Sequence, residues 1–187
     1  MTADPKRRAR TRYAGAATAF ALACSVVLTL ATAPDARAAP ACTVTGTPGA
    51  DELVGTPGSD LICARGGADV VRGLGGNDLI LGGGGADRID GGRGADRLVG
   101  GQSRDRLVGA LGNDIVRGSG GRDSLFGRRG GDRLFGGGGR DRLFGGPTRD
   151  LLYARDGTRE RVDGDAGRDC ARIDRGLDVP VSVHALF

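Results

Sequence analysis

Twelve aspartates recur at a spacing of nine residues: Asp51, Asp60, Asp69, Asp78, Asp87, Asp96, Asp105, Asp114, Asp123, Asp132, Asp141 and Asp150. Carboxylates on so strict a clock could act as general acids and bases, as halves of ion pairs, or as oxygen ligands to a hard cation. No Ser/His/Asp or Cys/His arrangement and no metalloprotease motif accompanies them. The one histidine, His184, stands alone in a Val-rich tail. No catalytic residue is therefore expected, and the carboxylates are candidates for ligation.

The neighbours of each Asp show what must position it. Two residues after it stands an aliphatic side chain, from Leu53, Ile62 and Val71 through to Leu152. Alternation sends successive side chains of a strand to opposite faces. The flanking positions carry Arg88, Arg97, Arg106, Arg133 and Arg142, which need water, so the aliphatic face is the inner one. The spacing predicts a strand of about three residues, reversed within the remaining six. Glycine supplies the positive φ angles such a turn needs at little steric cost. Gly accounts for 37 of 187 residues, with no Trp, 5 Phe and 2 Tyr. An ordinary enzyme core built on large aromatic side chains is thereby disfavoured, and a repeat architecture is favoured.

The unit reads Gly-Gly-x-Gly-x-Asp-x-aliphatic-x, and residues 82–87, 91–96 and 136–141 match its glycine and aspartate positions in full. It resembles the RTX, or hemolysin-type, calcium-binding nonapeptide repeat, a motif associated with calcium-binding β-helices. Twelve in-phase units cover residues 46–153. The resemblance implies an all-β fold: a right-handed parallel β-roll with two short parallel sheets and 18 residues per coil. It also implies Ca²⁺ between adjacent coils, with the twelve Asp as side-chain ligands. Turn glycines would be carbonyl ligands, here Gly82, Gly85, Gly91, Gly94, Gly136 and Gly139. Asp51, 69, 87, 105, 123 and 141 would line one edge and Asp60, 78, 96, 114, 132 and 150 the other. That allows at most ten inter-coil sites, with the best expected around Asp78, Asp87, Asp96, Asp105 and Asp114.

The physical need for a cation is plain. Stacked carboxylates roughly 5 Å apart repel by about 1 kcal/mol per pair even in water-like dielectric. Ca²⁺ accepts about 6–8 oxygens in flexible geometry and suits carbonyl-rich turns better than octahedral Mg²⁺. The sequence departs from the family pattern where Arg104, Arg122, Arg140 and Arg149 precede the ladder Asp, a place where only Asn77 and Asn113 keep the usual residue. Ser103, Ala110, Ser119, Arg128 and Thr148 replace turn glycines. A rival source of cohesion follows, in which Arg pairs with the ladder Asp and substitutes for calcium.

Residues 1–38 have the order of a Sec-type signal peptide: basic residues to Arg12, an apolar stretch at 16–31, and Ala36-Arg37-Ala38 before the expected cleavage. Without this leader the chain holds 21 basic and 21 acidic residues. Zero net charge argues against a nucleic-acid partner. The expected product is secreted, monomeric and free of a membrane span, with calcium ions as partners and room for a cell-surface or matrix partner. An alternative is a structural or adhesive surface protein whose outer sheet faces bind that partner. Phe126, Phe135, Phe144 and Tyr153 share one repeat position and should face outward, two on each sheet.

Cys42 and Cys63 are the likelier disulfide pair, with three unpaired thiols as the alternative, and Cys170 lies apart. Residues 39–48 should cap the N-terminal end. Residues 154–187 should hold decayed repeats and a C-terminal cap, with Val179, Val181 and Val183 forming a last strand.

Overall fold

The computed structural model describes residues 41–186; the expected leader lies outside the described residues. Seventeen strands, from Val44–Thr45 to Ala185–Leu186, follow one another without an intervening helix. Odd-numbered strands in chain order form a nine-stranded sheet and even-numbered ones an eight-stranded sheet, and every pairing is parallel. The register shift is 18 residues: Ile80 lies beside Leu98, and Ile89 beside Leu107. The chain is thus a β-solenoid with two nonapeptides per coil.

The strands are longer than the repeat pattern alone suggests. Seven central ones, such as Leu79–Gly84 and Arg88–Arg93, have six residues and run on into the glycines. Gly83 pairs with Gly101, and Gly92 with Ala110. The turn proper shrinks to about three residues because these glycines keep their place in the backbone ladder.

Inside, each sheet contributes a single file of aliphatic side chains. Ile80, Leu98, Leu107, Val116, Leu125, Leu134, Leu143 and Leu152 are fully buried and continuous from coil to coil. Outside, Phe126 stacks on Phe144 with ring centroids 5.0 Å apart, and Phe135 on Tyr153 at 4.5 Å. They stand two on each sheet, as alternation predicts.

The C-terminal segment differs from expectation. Val179–Val181 joins the eight-stranded sheet and Ala185–Leu186 the nine-stranded one, so the chain end adds a short strand to each sheet. Val179 and Val181 are exposed, whereas Val183 packs against the core. At the other end a disulfide joins Cys42 to Cys63, and Cys170 is free.

Candidate metal centre: two buried carboxylate ladders

Alternation from the buried aliphatic carries two more side-chain positions inward, the Asp two residues before it and the Gly two residues after it. The Asp are as buried as the core: Asp69 to Asp150 have at most 2% of their surface exposed. A carboxylate in such a place must find partners or carry a heavy penalty.

One oxygen finds a partner. The backbone N–H of each ladder Asp from Asp51 to Asp132, and of Asp150, donates to Oδ1 of the Asp one coil later. Asp78 N–H reaches Asp96 Oδ1 at 2.9 Å, and Asp114 N–H reaches Asp132 Oδ1 at 2.8 Å. The same bond repeats along both edges, from Asp51 to Asp141 and from Asp60 to Asp150.

The other oxygen does not. Oδ2 is buried without a hydrogen-bond partner at every ladder Asp from Asp69 to Asp150 and at Asp169, as is Oε2 of Glu160. The ends of the roll are the exception. Thr47 N–H donates to Asp51 Oδ2 and Thr56 N–H to Asp60 Oδ2, both at 2.6 Å. Asp174 N–H donates to Asp178 Oδ2 at 2.6 Å. In these three turns the chain closes on its own carboxylate; in the turns between, it leaves an oxygen bare.

The glycine five residues before the ladder Asp, present at every one but Asp69, where Ala64 stands, explains where that oxygen sits. A Cβ on Gly82 would lie 2.5 Å from Asp87 Oδ2 and 2.5 Å from the Gly100 carbonyl oxygen. A Cβ on Gly91 would meet Asp96 Oδ2 at 2.5 Å and the Gly109 oxygen at 3.0 Å. The first glycine of the unit is needed for space, since it makes room for a carboxylate and a carbonyl to converge. Positive φ is the job of later turn positions such as Gly83 and Gly85, at 101° and 108°. At the substituted positions Ser103, Ala110, Ser119, Arg128 and Thr148 the same left-handed backbone persists, with φ from 80° to 109°.

Burial raises the carboxyl pKa along the middle of both ladders. Asp114 and Asp123 rise to about 6, and Asp105, Asp132, Asp141 and Asp150 to about 7. Desolvation is the main cause, opposed by the backbone N–H bond to Oδ1. Asp78, Asp87 and Asp96 shift upward for the same reason. Asp60 moves down instead, because the Thr56 N–H supports its charged form. A bare, desolvated carboxylate oxygen beside a convergent carbonyl is the kind of oxygen donor set a hard cation takes.

All twelve sequence-predicted Asp fall on the two ladders. Among the predicted carbonyl ligands, Gly91 O approaches the same point beside Gly73 as Asp78 Oδ2, and Gly136 O the same point beside Gly118 as Asp123 Oδ2. Gly94 O instead packs toward the backbone of Gly112, and Gly139 O accepts the Thr158 hydroxyl at 2.7 Å. The ladders also run further than the predicted twelve. Asp150 N–H donates to Asp169 Oδ1 at 2.9 Å, and Glu160 N–H to Asp178 Oδ1 at 3.0 Å. The spacing of nine from Glu160 through Asp169 to Asp178 was the available signal.

Pairing of Arg with the ladder Asp is overturned. The described ion pairs are Arg72–Glu52, Arg155–Asp174 and Arg161–Asp163. None involves a ladder carboxylate, and Arg104, Arg122, Arg140 and Arg149 are all exposed. The Arg and the Asp after it both lie in the turn before the next strand, where the Asp side chain is buried and the Arg side chain is exposed. Beside the irregular turn at 155–160, oxygens of Asp156, Glu160 and Asp174 gather within 4.8 Å. Asp156 and Asp174 use theirs to accept the N–H groups of Gly139, Asp156 and Gly157.

The family model of the RTX calcium-binding nonapeptide repeat matches this chain in overlapping segments, at residues 45–80, 64–98, 81–116, 99–134, 117–152, 126–160 and 135–169. The chain belongs to this family. A search of curated proteins found no match. Membership in the RTX family accounts for the ladders, since its repeats bind calcium, and it supports a structural role for the repeat array. No helix among the described residues is long and apolar enough to cross a membrane.

Proposed function

We propose that this RTX chain is an exported, non-catalytic calcium-binding protein whose β-roll is completed by Ca²⁺ held between adjacent coils. The supporting observation is the row of buried Oδ2 atoms without partners, which from Asp78 to Asp150 each lie beside a glycine that leaves room for a converging carbonyl. The ladder Asp from Asp78 to Asp150 would supply side-chain oxygens, and the first glycines of the units carbonyl oxygens. Calcium supplies positive charge where the chain has placed carboxylates out of reach of any arginine. Residues 1–38 act as a leader, residues 46–153 as the repeat array, and the flanking segments as caps. Asp51 and Asp60 are satisfied by their own turns and need no ion.

Isothermal titration of the chain with Ca²⁺ and Mg²⁺ tests this reading. Calcium should bind at several sites in about the 10⁻⁴–10⁻³ M range common to extracellular modules, and Mg²⁺ should give little heat. Asp105→Asn keeps the Oδ1 acceptor but removes the charge, so it should lower the number of calcium sites. A calcium titration without heat, or an unchanged site count in that variant, refutes the assignment.

A further inference from the structure

The balance of 21 Arg against 21 acidic residues conceals how the two are placed. All 21 arginines from Arg65 to Arg175 are exposed. Fifteen of the acidic residues are buried. The other six, Asp51, Glu52, Asp90, Asp156, Asp165 and Asp174, are exposed or partly so. The charge is sorted radially, so residues 39–187, whose formal charges balance, present a strongly cationic surface.

The arginines are also sorted by edge. Along the ladder from Asp87 to Glu160, Arg104, Arg122, Arg140 and Arg159 occupy the residue before the carboxylate on successive coils. The residue after it is Arg88, Arg106, Ser124, Arg142 and Arg161, aligned by the strand register. Eight arginines thus form two parallel columns along one edge. The opposite edge has Arg97, Arg133, Arg149 and Arg168 interrupted by Leu79, Ala95, Ile115 and Gly131. Arg122, Arg140, Arg142, Arg159 and Arg161 line an open cleft of 590 Å³ on the richer edge. Of these five only Arg161 has a carboxylate partner, Asp163.

We infer that this edge binds a linear anionic polysaccharide along the axis of the roll. Coils rise by about 4.8 Å, close to the length of one sugar in an extended glycan, so one charged group per sugar would meet one guanidinium per coil. Guanidinium forks engage carboxylate and sulfate groups bidentately. A neighbouring aromatic pillar helps fix the columns: Arg106 lies 4.4 Å from the centroid of Phe126, Phe126 stacks on Phe144, and Arg161 lies 5.8 Å from the centroid of Phe144. Those contacts occupy the ring faces that single-stranded nucleic acid would need for base stacking. A duplex winds its phosphates around a cylinder and would meet a straight column over only a short stretch.

The inference relies on the proposed calcium-loaded roll only for one of the two states in which it is tested. Binding of fluorescent heparin and of a labelled DNA duplex to the full chain is measured in calcium at pH 7.5. The measurement is repeated in chelator at pH 5, below the raised carboxyl pKa values of Asp105 to Asp150. Far-UV circular dichroism in each buffer reports whether the roll is formed, which separates failure of the calcium reading from failure of this one. The quadruple variant Arg104→Gln/Arg122→Gln/Arg140→Gln/Arg159→Gln should weaken heparin binding by at least about ten-fold. Arg97→Gln/Arg133→Gln/Arg149→Gln/Arg168→Gln, with the same loss of charge from the other edge, should weaken it by less than about three-fold. Ser124→Arg fills the gap in the outer column and should tighten binding. Equal losses in the two quadruple variants, no gain in Ser124→Arg, absence of heparin binding, or tighter binding of the duplex would each overturn the proposal.

Discussion

Each ladder Asp from Asp78 to Asp150 has two oxygens with different fates, and that difference governs its titration. Oδ1 is held by a backbone N–H, and burial of Oδ2 favours the protonated acid. The folded pKa therefore lies above the unfolded one, at about 6–7 for Asp105 to Asp150. A raised carboxyl pKa contributes stability that is fully present below about pH 4, where both states are protonated, and is lost as the pH climbs through about 7. Thermal melts in chelator should show the midpoint falling as the pH climbs from 4.5, until no folded signal is left to melt near pH 7.5; a rising midpoint would contradict the burial argument. With calcium present the slope should flatten or reverse, since the ion requires the deprotonated ligand.

Glycine divides by position at this same scale. Gly82→Ala would drive its Cβ to 2.5 Å from Asp87 Oδ2, whereas a Cβ on Gly84 meets nothing nearer than 4.0 Å. Gly82→Ala should lower the melting temperature in calcium by several degrees, and Gly84→Ala should leave it nearly unchanged. The sequence showed that glycine mattered at both places. It did not show that one glycine makes room for a carboxylate and another for a backbone angle, because that depends on the adjacent coil.

The coil is built from elements that are individually too short to stand, and the ends are treated differently from the middle. Cys42 and Cys63, 21 residues apart, tie the first strand to its neighbour in the same sheet. A cross-link over a loop of that length is worth roughly 2–4 kcal/mol. The Thr47 and Thr56 turns meanwhile satisfy Asp51 and Asp60 without an ion. In chelator at pH 7.5, amide hydrogen exchange should therefore be slower in residues 44–63 than in residues 87–150. Replacing both cysteines by Ser should abolish the difference. Uniform exchange along the wild-type chain would contradict a self-sufficient N-terminal coil.

Alternation and the nine-residue period made the two sheets, the inner aliphatic files and the twelve Asp legible before any coordinates. The extra residue after Asp150 obscured the rest. It turned Glu160 and Asp169 into an apparent remnant and hid Asp178, although all three continue the ladders. The Arg–Asp pairing failed for a related reason. Adjacency in sequence does not make a contact: in the turn before the strand Arg104 is exposed while Asp105 is buried.

For the whole molecule the consequence is a charge inversion between interior and surface. The roll gathers carboxylates inside, where they repel one another, and arginines outside, where they meet solvent or an anionic partner. The aliphatic files are one residue wide in each sheet, and glycine-rich chain loses much entropy on folding. On the proposed reading, cohesion then depends on neutralising the ladders, by protons at low pH or by calcium at neutral pH. Net charge from composition alone could not reveal this sorting.

The most direct test is far-UV circular dichroism of the chain at pH 7.5, titrated with Ca²⁺ from a chelated start and compared with Mg²⁺. The ladders predict a largely unordered spectrum in chelator and a cooperative gain of strand signal as calcium reaches about 10⁻⁴–10⁻³ M, with no such gain in Mg²⁺. A full strand spectrum in chelator, unchanged by calcium, would mean that the buried carboxylates need no ion and would contradict the account.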